Sequence, residues 1–246
     1  MISNFAWVLA LLSMTCAAWG QVAAEDFVEA KLRIVSLDKP IEGYGFISHG
    51  KHTPLSIGAD TLGREIDYRG PAKFALLPVS VLPSSPATEK TPATQAKWWI
   101  KLPVDKTTHK LILLVGKPDE NGGIIAMEDD PKTFTLGSNR YLNFCPYPIT
   151  IKLPSGDQRI LSKSSKTAKA GIKAGGYYDL VIQSHENGEE KLAYSTRVMQ
   201  SDGVRKIYVI YPLAQDSGRV DFNVIVDRAR TKPVQTTVEV PEPNVK

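Results

Sequence analysis

The chain has 246 residues, 42% hydrophobic and 23% charged, with a formal net charge of +4. That is enough apolar material for one large or two ordinary domains, each with its own core, and it excludes a wholly disordered polypeptide. The basic residues are spread through turns and strand faces without one long run, which argues against nucleic acid as a partner.

At the N-terminus, Phe5 to Leu12 is an uncharged apolar run followed by small residues, with cleavage expected after Ala18-Trp19-Gly20 or after Val22-Ala23-Ala24. Residues 1–24 therefore read as a signal peptide, and the protein as periplasmic or secreted. The run is shorter than the ~20 residues a spanning helix needs, so no membrane span is expected once the signal is removed. Cys16 stands where a lipoprotein cysteine would, but Ser13-Met14-Thr15 supplies no lipobox, so lipid anchoring there is not expected. With Cys16 removed, Cys145 is the sole thiol and an intramolecular disulfide is impossible. Beside Phe144 on an apolar strand, Cys145 reads as a small buried hydrophobe.

Residues 25–130 read as a first β unit. Strands are expected over Leu32 to Leu37, Tyr44 to Ser48, Thr53 to Ile57, Glu65 to Tyr68 and Phe74 to Pro78. A stretch of Pro, Ser, Thr and Ala follows over 78–96, the composition of a loop. Trp98, Ile100 and Leu102 then alternate with Trp99 and Lys101, the period of a half-buried strand. Leu111 to Val115 is continuously apolar, as a central strand covered on both faces would be, and the turn at Asn121-Gly122-Gly123 leads into Ile124 to Glu128.

Residues 139–227 repeat the order, with strands at Tyr141 to Phe144, Ile149 to Leu153 and Gln158 to Leu161. A Lys-rich loop, Ser162 to Lys173, then leads into Tyr177 to Gln183, Lys191 to Val198, Arg205 to Pro212 and Arg219 to Asp227. The parallel between the units is closest where Leu32 to Lys51 matches Arg140 to Gln158. In each, a short apolar strand meets Pro40-Ile41 or Pro148-Ile149, and a second apolar run ends in the turn Ser48-His49-Gly50-Lys51 or Pro154-Ser155-Gly156-Asp157. Those are hairpin signatures. Lys206 to Tyr211 matches Lys110 to Val115, and Val224 to Asp227 matches Met127 to Asp130. With about seven short strands per unit, the fold class is all-β: two tandem Ig-like antiparallel sandwiches related by duplication. Residues 228–246 are polar with three prolines and read as a disordered tail, with Thr236 to Val240 the one segment able to add as an edge strand.

The strand-then-proline opening, the two-fold repeat over Leu32 to Asp227 and the export signal resemble uncharacterised secreted bacterial proteins built of tandem β-sandwich repeats, filed as domains of unknown function. The resemblance implies a fold and a location, and no activity.

For chemistry, adjacent strand residues point to opposite faces, so a core-facing Trp98 leaves Trp99 outward, where it can stack on a sugar ring. Tyr147 or one of Tyr177-Tyr178 can supply a second platform. Lys163, Lys166, Lys169 and Lys173 form a spaced basic stretch suited to an anionic polymer. The binding candidates are therefore Trp99, Tyr147, Lys166 and Lys169. His49 and His52 lie three apart in a turn but lack a third ligand, Ser36-Leu37-Asp38-Lys39 has no helix or companion motif around it, and Glu128-Asp129-Asp130 reads as a solvated turn before it reads as a calcium site. No cofactor, metal or catalytic residue is expected. The expectation is a non-enzymatic structural or interaction protein of the cell envelope with a protein or glycan partner, or else a glycan-binding module using an exposed Trp99.

Overall fold

The structure is a computed structural model that describes residues 26–81, 96–105, 109–117, 121–213 and 218–228. The expected signal peptide with Cys16, residues 82–95 of the proline-rich stretch and the tail after Arg228 lie outside the described residues.

Among the described residues, sixteen strands fall into two sets of eight. The first set is β1 (Phe27–Ser36), β2 (Ile41–Ser48), β3 (Lys51–Ile57), β4 (Ile66–Pro71), β5 (Lys73–Pro78), β6 (Trp98–Lys101), β7 (His109–Val115) and β8 (Ile124–Glu128). The second is β9 (Ser138–Asn143), β10 (Ile149–Lys152), β11 (Gln158–Ile160), β12 (Ser164–Lys169), β13 (Tyr177–Glu186), β14 (Glu189–Met199), β15 (Val204–Pro212) and β16 (Val220–Arg228). Each set builds two four-stranded sheets in the same order, β4-β1-β7-β8 with β3-β2-β5-β6, and β12-β9-β15-β16 with β11-β10-β13-β14. Strand for strand, the second half repeats the first, including a parallel pair at the centre of one sheet: β1 with β7, and β9 with β15. Two tandem sandwiches related by duplication are therefore present. The four-plus-four strand order with its parallel pair is not the four-plus-three antiparallel immunoglobulin order, so the likeness stops at the sandwich architecture.

Turn chemistry fixes the hairpins. His49-Gly50, with φ of 52° and 68°, and Asn187-Gly188, with 53° and 83°, close β2/β3 and β13/β14 with two left-handed residues each, the twist that suits a two-residue hairpin loop. β12 was expected to be loop. Its Lys and Ser side chains leave no apolar run to read, yet its backbone pairs antiparallel with β9 from Ser164↔Asn143 to Lys169↔Ser138.

Three apolar layers hold the molecule. Leu32, Phe46, Phe74, Leu111 and Leu113 belong to the core between the first two sheets, and Tyr141, Ile149, Leu180, Tyr208 and Ile210 to that between the last two. The third layer lies between the sandwiches, where Val35, Ile112 and Leu114 of the first inner sheet meet Leu142, Ile207, Val209 and Ile225 of the second. The result is a four-layer stack. It explains why β7 is apolar without alternation, since its two faces serve two different cores.

The layers also correct the match of β15 to β7. Leu111 and Leu113 face the first core while Ile207 and Val209 face the layer between the units, as Ile112 and Leu114 do. Ile112 therefore corresponds to Ile207 and Lys110 to Arg205, one residue from the alignment of the two lysines, and with a side-chain period of two that slip exchanges the faces. Tyr211, which the match of Lys206 to Tyr211 with Lys110 to Val115 sets beside the buried Val115, is half-buried.

Candidate binding site

Arg33 on β1 and Arg205 on β15 meet Asp129 and Asp227, the residues that close the two units. Arg33 grips Asp227 through both Nη atoms, at 2.7 and 2.5 Å, and Arg205 reaches Asp227 through Nε at 2.6 Å and Asp129 through Nη2 at 2.5 Å. All four side chains are about nine-tenths buried. Burial works to raise the Asp227 carboxyl, but the hydrogen bonds from Arg33 and Arg205 outweigh it and its pKa lies below the ordinary value. Phe134 in the connection is fully buried, with Arg140 4.4 Å and Arg205 4.5 Å from its ring centre. Arg140, the β9 counterpart of Arg33, donates to the Glu128 carbonyl at 2.8 Å. Each unit thus sends an arginine from its first strand to the end of the last strand of the other. Arg33 and Arg205 are paired with carboxylates, and Arg140 is held by the Glu128 carbonyl and the Thr167 hydroxyl, so the cluster is a clamp between the units.

Trp99 is half-buried instead of exposed. Lys73 sits 4.6 Å from its ring centre, and its amide donates to the Gly122 carbonyl at 2.9 Å, closing β6 against the start of β8. Tyr147 belongs to the second core, and burial pushes its phenol up to about 12. It lies in the other sandwich from Trp99, so the two form no common platform. Lys166 and Lys169 are exposed on β12. Cys145 is buried as expected, its thiol pushed up to about 11 by burial.

His49 accepts or donates to the Ser48 hydroxyl at 3.0 Å, and among the described residues no three His, Cys, Asp or Glu converge as a metal site. Thr150 Oγ1 and His185 Nε2 are 2.7 Å apart on the outer face of the last sheet, with Glu190 3.9 Å from His185 Nδ1. This hydroxyl, imidazole and carboxylate stand in a row across β10, β13 and β14.

Of the four expected residues, Lys169 lines a cavity of about 380 Å³ at one end of the second sandwich. It is joined there by Leu136, Gly137, Gly171, Ile172, Gln200 and Asp202. Gln200 is buried, and its amide donates to the Gly137 carbonyl at 3.0 Å and to Asp202 Oδ1 at 3.2 Å. Sequence reading missed Gln200 and Asp202 because neither belongs to a motif. Only the return of β14 past Gly175 and Gly176, through Gln200 N to the Gly176 carbonyl at 2.8 Å, brings them beside β12.

No family model and no curated protein matches the chain.

Proposed function

We propose that the chain is an exported, non-enzymatic interaction protein of the cell envelope, a rigid four-layer body that holds a sheet edge ready for a partner strand. The observation that carries this reading is β14. It is eleven residues long, ends the order β11-β10-β13-β14, and among the described residues no strand pairs with its outer side. A long edge with unpaired N–H and C=O groups is a template for strand addition, and most of its side chains are exposed, including Leu192, Arg197 and Met199. Export is supported by the apolar run Phe5 to Leu12 and the small residues after it.

The experiment places a photo-crosslinking residue at Ser195 or Arg197, side chains of β14 that face away from the core, in cells exporting the full chain. A defined protein partner captured from β14 and not from equivalent positions on β3 is the expected result. Equal capture from both edges overturns the edge reading, and retention of the mature protein in the cytoplasm overturns export. Turnover of any substrate by the purified protein that disappears in Thr150→Val overturns the non-enzymatic assignment.

A further inference from the structure

We propose that the cavity lined by Lys169, Gln200 and Asp202 binds an acidic saccharide, a sugar of the hexuronate kind carrying one carboxylate and several hydroxyls. The site does not depend on strand addition at β14. At about 380 Å³ it falls within the range of ligand pockets, about 300–1,000 Å³, and combines aliphatic walls with a few convergent polar groups.

The polar groups are built in. Gln200 is 6% exposed, and because both amide hydrogens are engaged its Oε1 remains an acceptor. Holding Asp202 Oδ1 leaves the second carboxylate oxygen to receive hydroxyl donors. Two acceptors side by side suit the vicinal hydroxyls of a pyranose. Lys169, with no ion-pair partner among the described residues, supplies the opposite chemistry and is the group that receives a carboxylate. Gly137 leaves room for the Gln200 and Asp202 pair: it is left-handed at φ +78°, and a side chain there would stand 3.2 Å from Asp202 Oδ1 and 3.6 Å from Gln200 Nε2, against the hydrogen bond that joins them.

The aliphatic side chains of Leu136 and Ile172 offer a surface for the C–H face of the ring. The charged groups that line the cavity are Lys169 and Asp202, one of each sign. A dianionic phosphate would meet the Asp202 carboxylate, and a hydrocarbon ligand would leave three polar groups without partners. A singly charged, hydroxyl-rich ligand satisfies all of them.

Calorimetric titration of the mature protein with a tetragalacturonate, and in parallel with cellotetraose as a neutral oligomer of the same length, tests the proposal. The uronate oligomer should bind, more weakly as salt is raised, and cellotetraose at least about tenfold more weakly, the loss expected when a hydrogen bond to a charged group goes unmade. Lys169→Ala and Asp202→Asn should each lower uronate affinity by about tenfold or more while their thermal unfolding matches the parent. Lys169 is exposed, so its variant keeps the fold and remains informative if Asp202→Asn is destabilised. Absence of uronate binding, equal binding of the neutral oligomer, or affinity unchanged by Lys169→Ala would each overturn the proposal.

Discussion

Asp227 ties the units together through the two hydrogen bonds it accepts from Arg33 of the first, and it also accepts from Arg205 of its own unit. Removing it leaves two buried guanidinium groups to share the one carboxylate of Asp129, with one positive charge uncompensated. Asp227→Ala should therefore lower unfolding free energy by roughly 3–5 kcal/mol, the range for a buried charge stripped of its partner. Lys31 is the comparison, because its pairs with Glu65 and Asp67 stand at the surface and are screened. Lys31→Ala should leave the denaturant midpoint where it is. The same carboxylate sets an acid limit. Its folded pKa lies below the unfolded value of about 3.9, so its stabilisation is complete above that value and is lost as pH falls through the folded one. Chemical denaturation from pH 7 downward should show a loss of stability below about pH 4 that is smaller in Asp227→Asn. A parallel loss in both would remove Asp227 as its source. These residues were not legible in the sequence. Asp129 follows Glu128 and precedes Asp130, the pattern of a solvated turn, and Phe134 sits in what reads as a linker. Asp129 pairs with Arg33 of its own unit, and the approach of the second sandwich brings it Arg205 and makes Phe134 the floor beneath two arginines.

Hairpins, by contrast, were legible, because a turn such as His49-Gly50 demands its own residues and the apolar runs on either side set the strands. What period-two reasoning leaves undetermined is phase. Lys110 and Lys206 look like counterparts, yet the structure matches Lys110 with Arg205, and only the three apolar layers decide between the two alignments. Val209→Asp tests the assigned face: it puts an unpaired carboxylate opposite Ile112 and Leu114 and should cost several kcal/mol. A folded Val209→Asp protein with an unchanged midpoint would refute the assignment. At the other end of the first sandwich, Gly122 lies against the Trp99 backbone so closely that an added Cβ has no room, and its φ is +93°. Gly122→Ala should open the seam between β6 and β8, seen as a red shift of tryptophan emission and faster amide exchange at Trp99, while the second sandwich stays protected.

The two sandwiches are a duplication in topology and a single body in packing. Independent domains meet through modest, fairly polar interfaces. Here the contact is an apolar layer with Leu114, Phe134, Ile207 and Ile225 at full burial, ringed by paired charges. Burying a side chain of this size contributes roughly 1.5–3 kcal/mol, and a whole domain is stabilised by only about 5–15 kcal/mol. Several such side chains together therefore rival the stability of either unit. A chain cut at Asp130 would expose Val35, Ile112 and Leu114 and leave Arg33 without Asp227, and one beginning at Ser138 would expose Leu142, Ile207 and Val209 and strip Arg205 of Asp129. Neither half should fold as a compact monomer. Mixed in equal amounts they should reassemble, because the layer between them is the apolar surface each exposes. The full chain should unfold in one calorimetric transition whose van't Hoff and calorimetric enthalpies agree, and Leu114→Ala should lower that single transition, by roughly 2–5 kcal/mol, without splitting it. Two resolved transitions in the parent protein, or a well-dispersed spectrum from either half alone, would show that the sandwiches are separate folding units and that the clamp between them is an accessory.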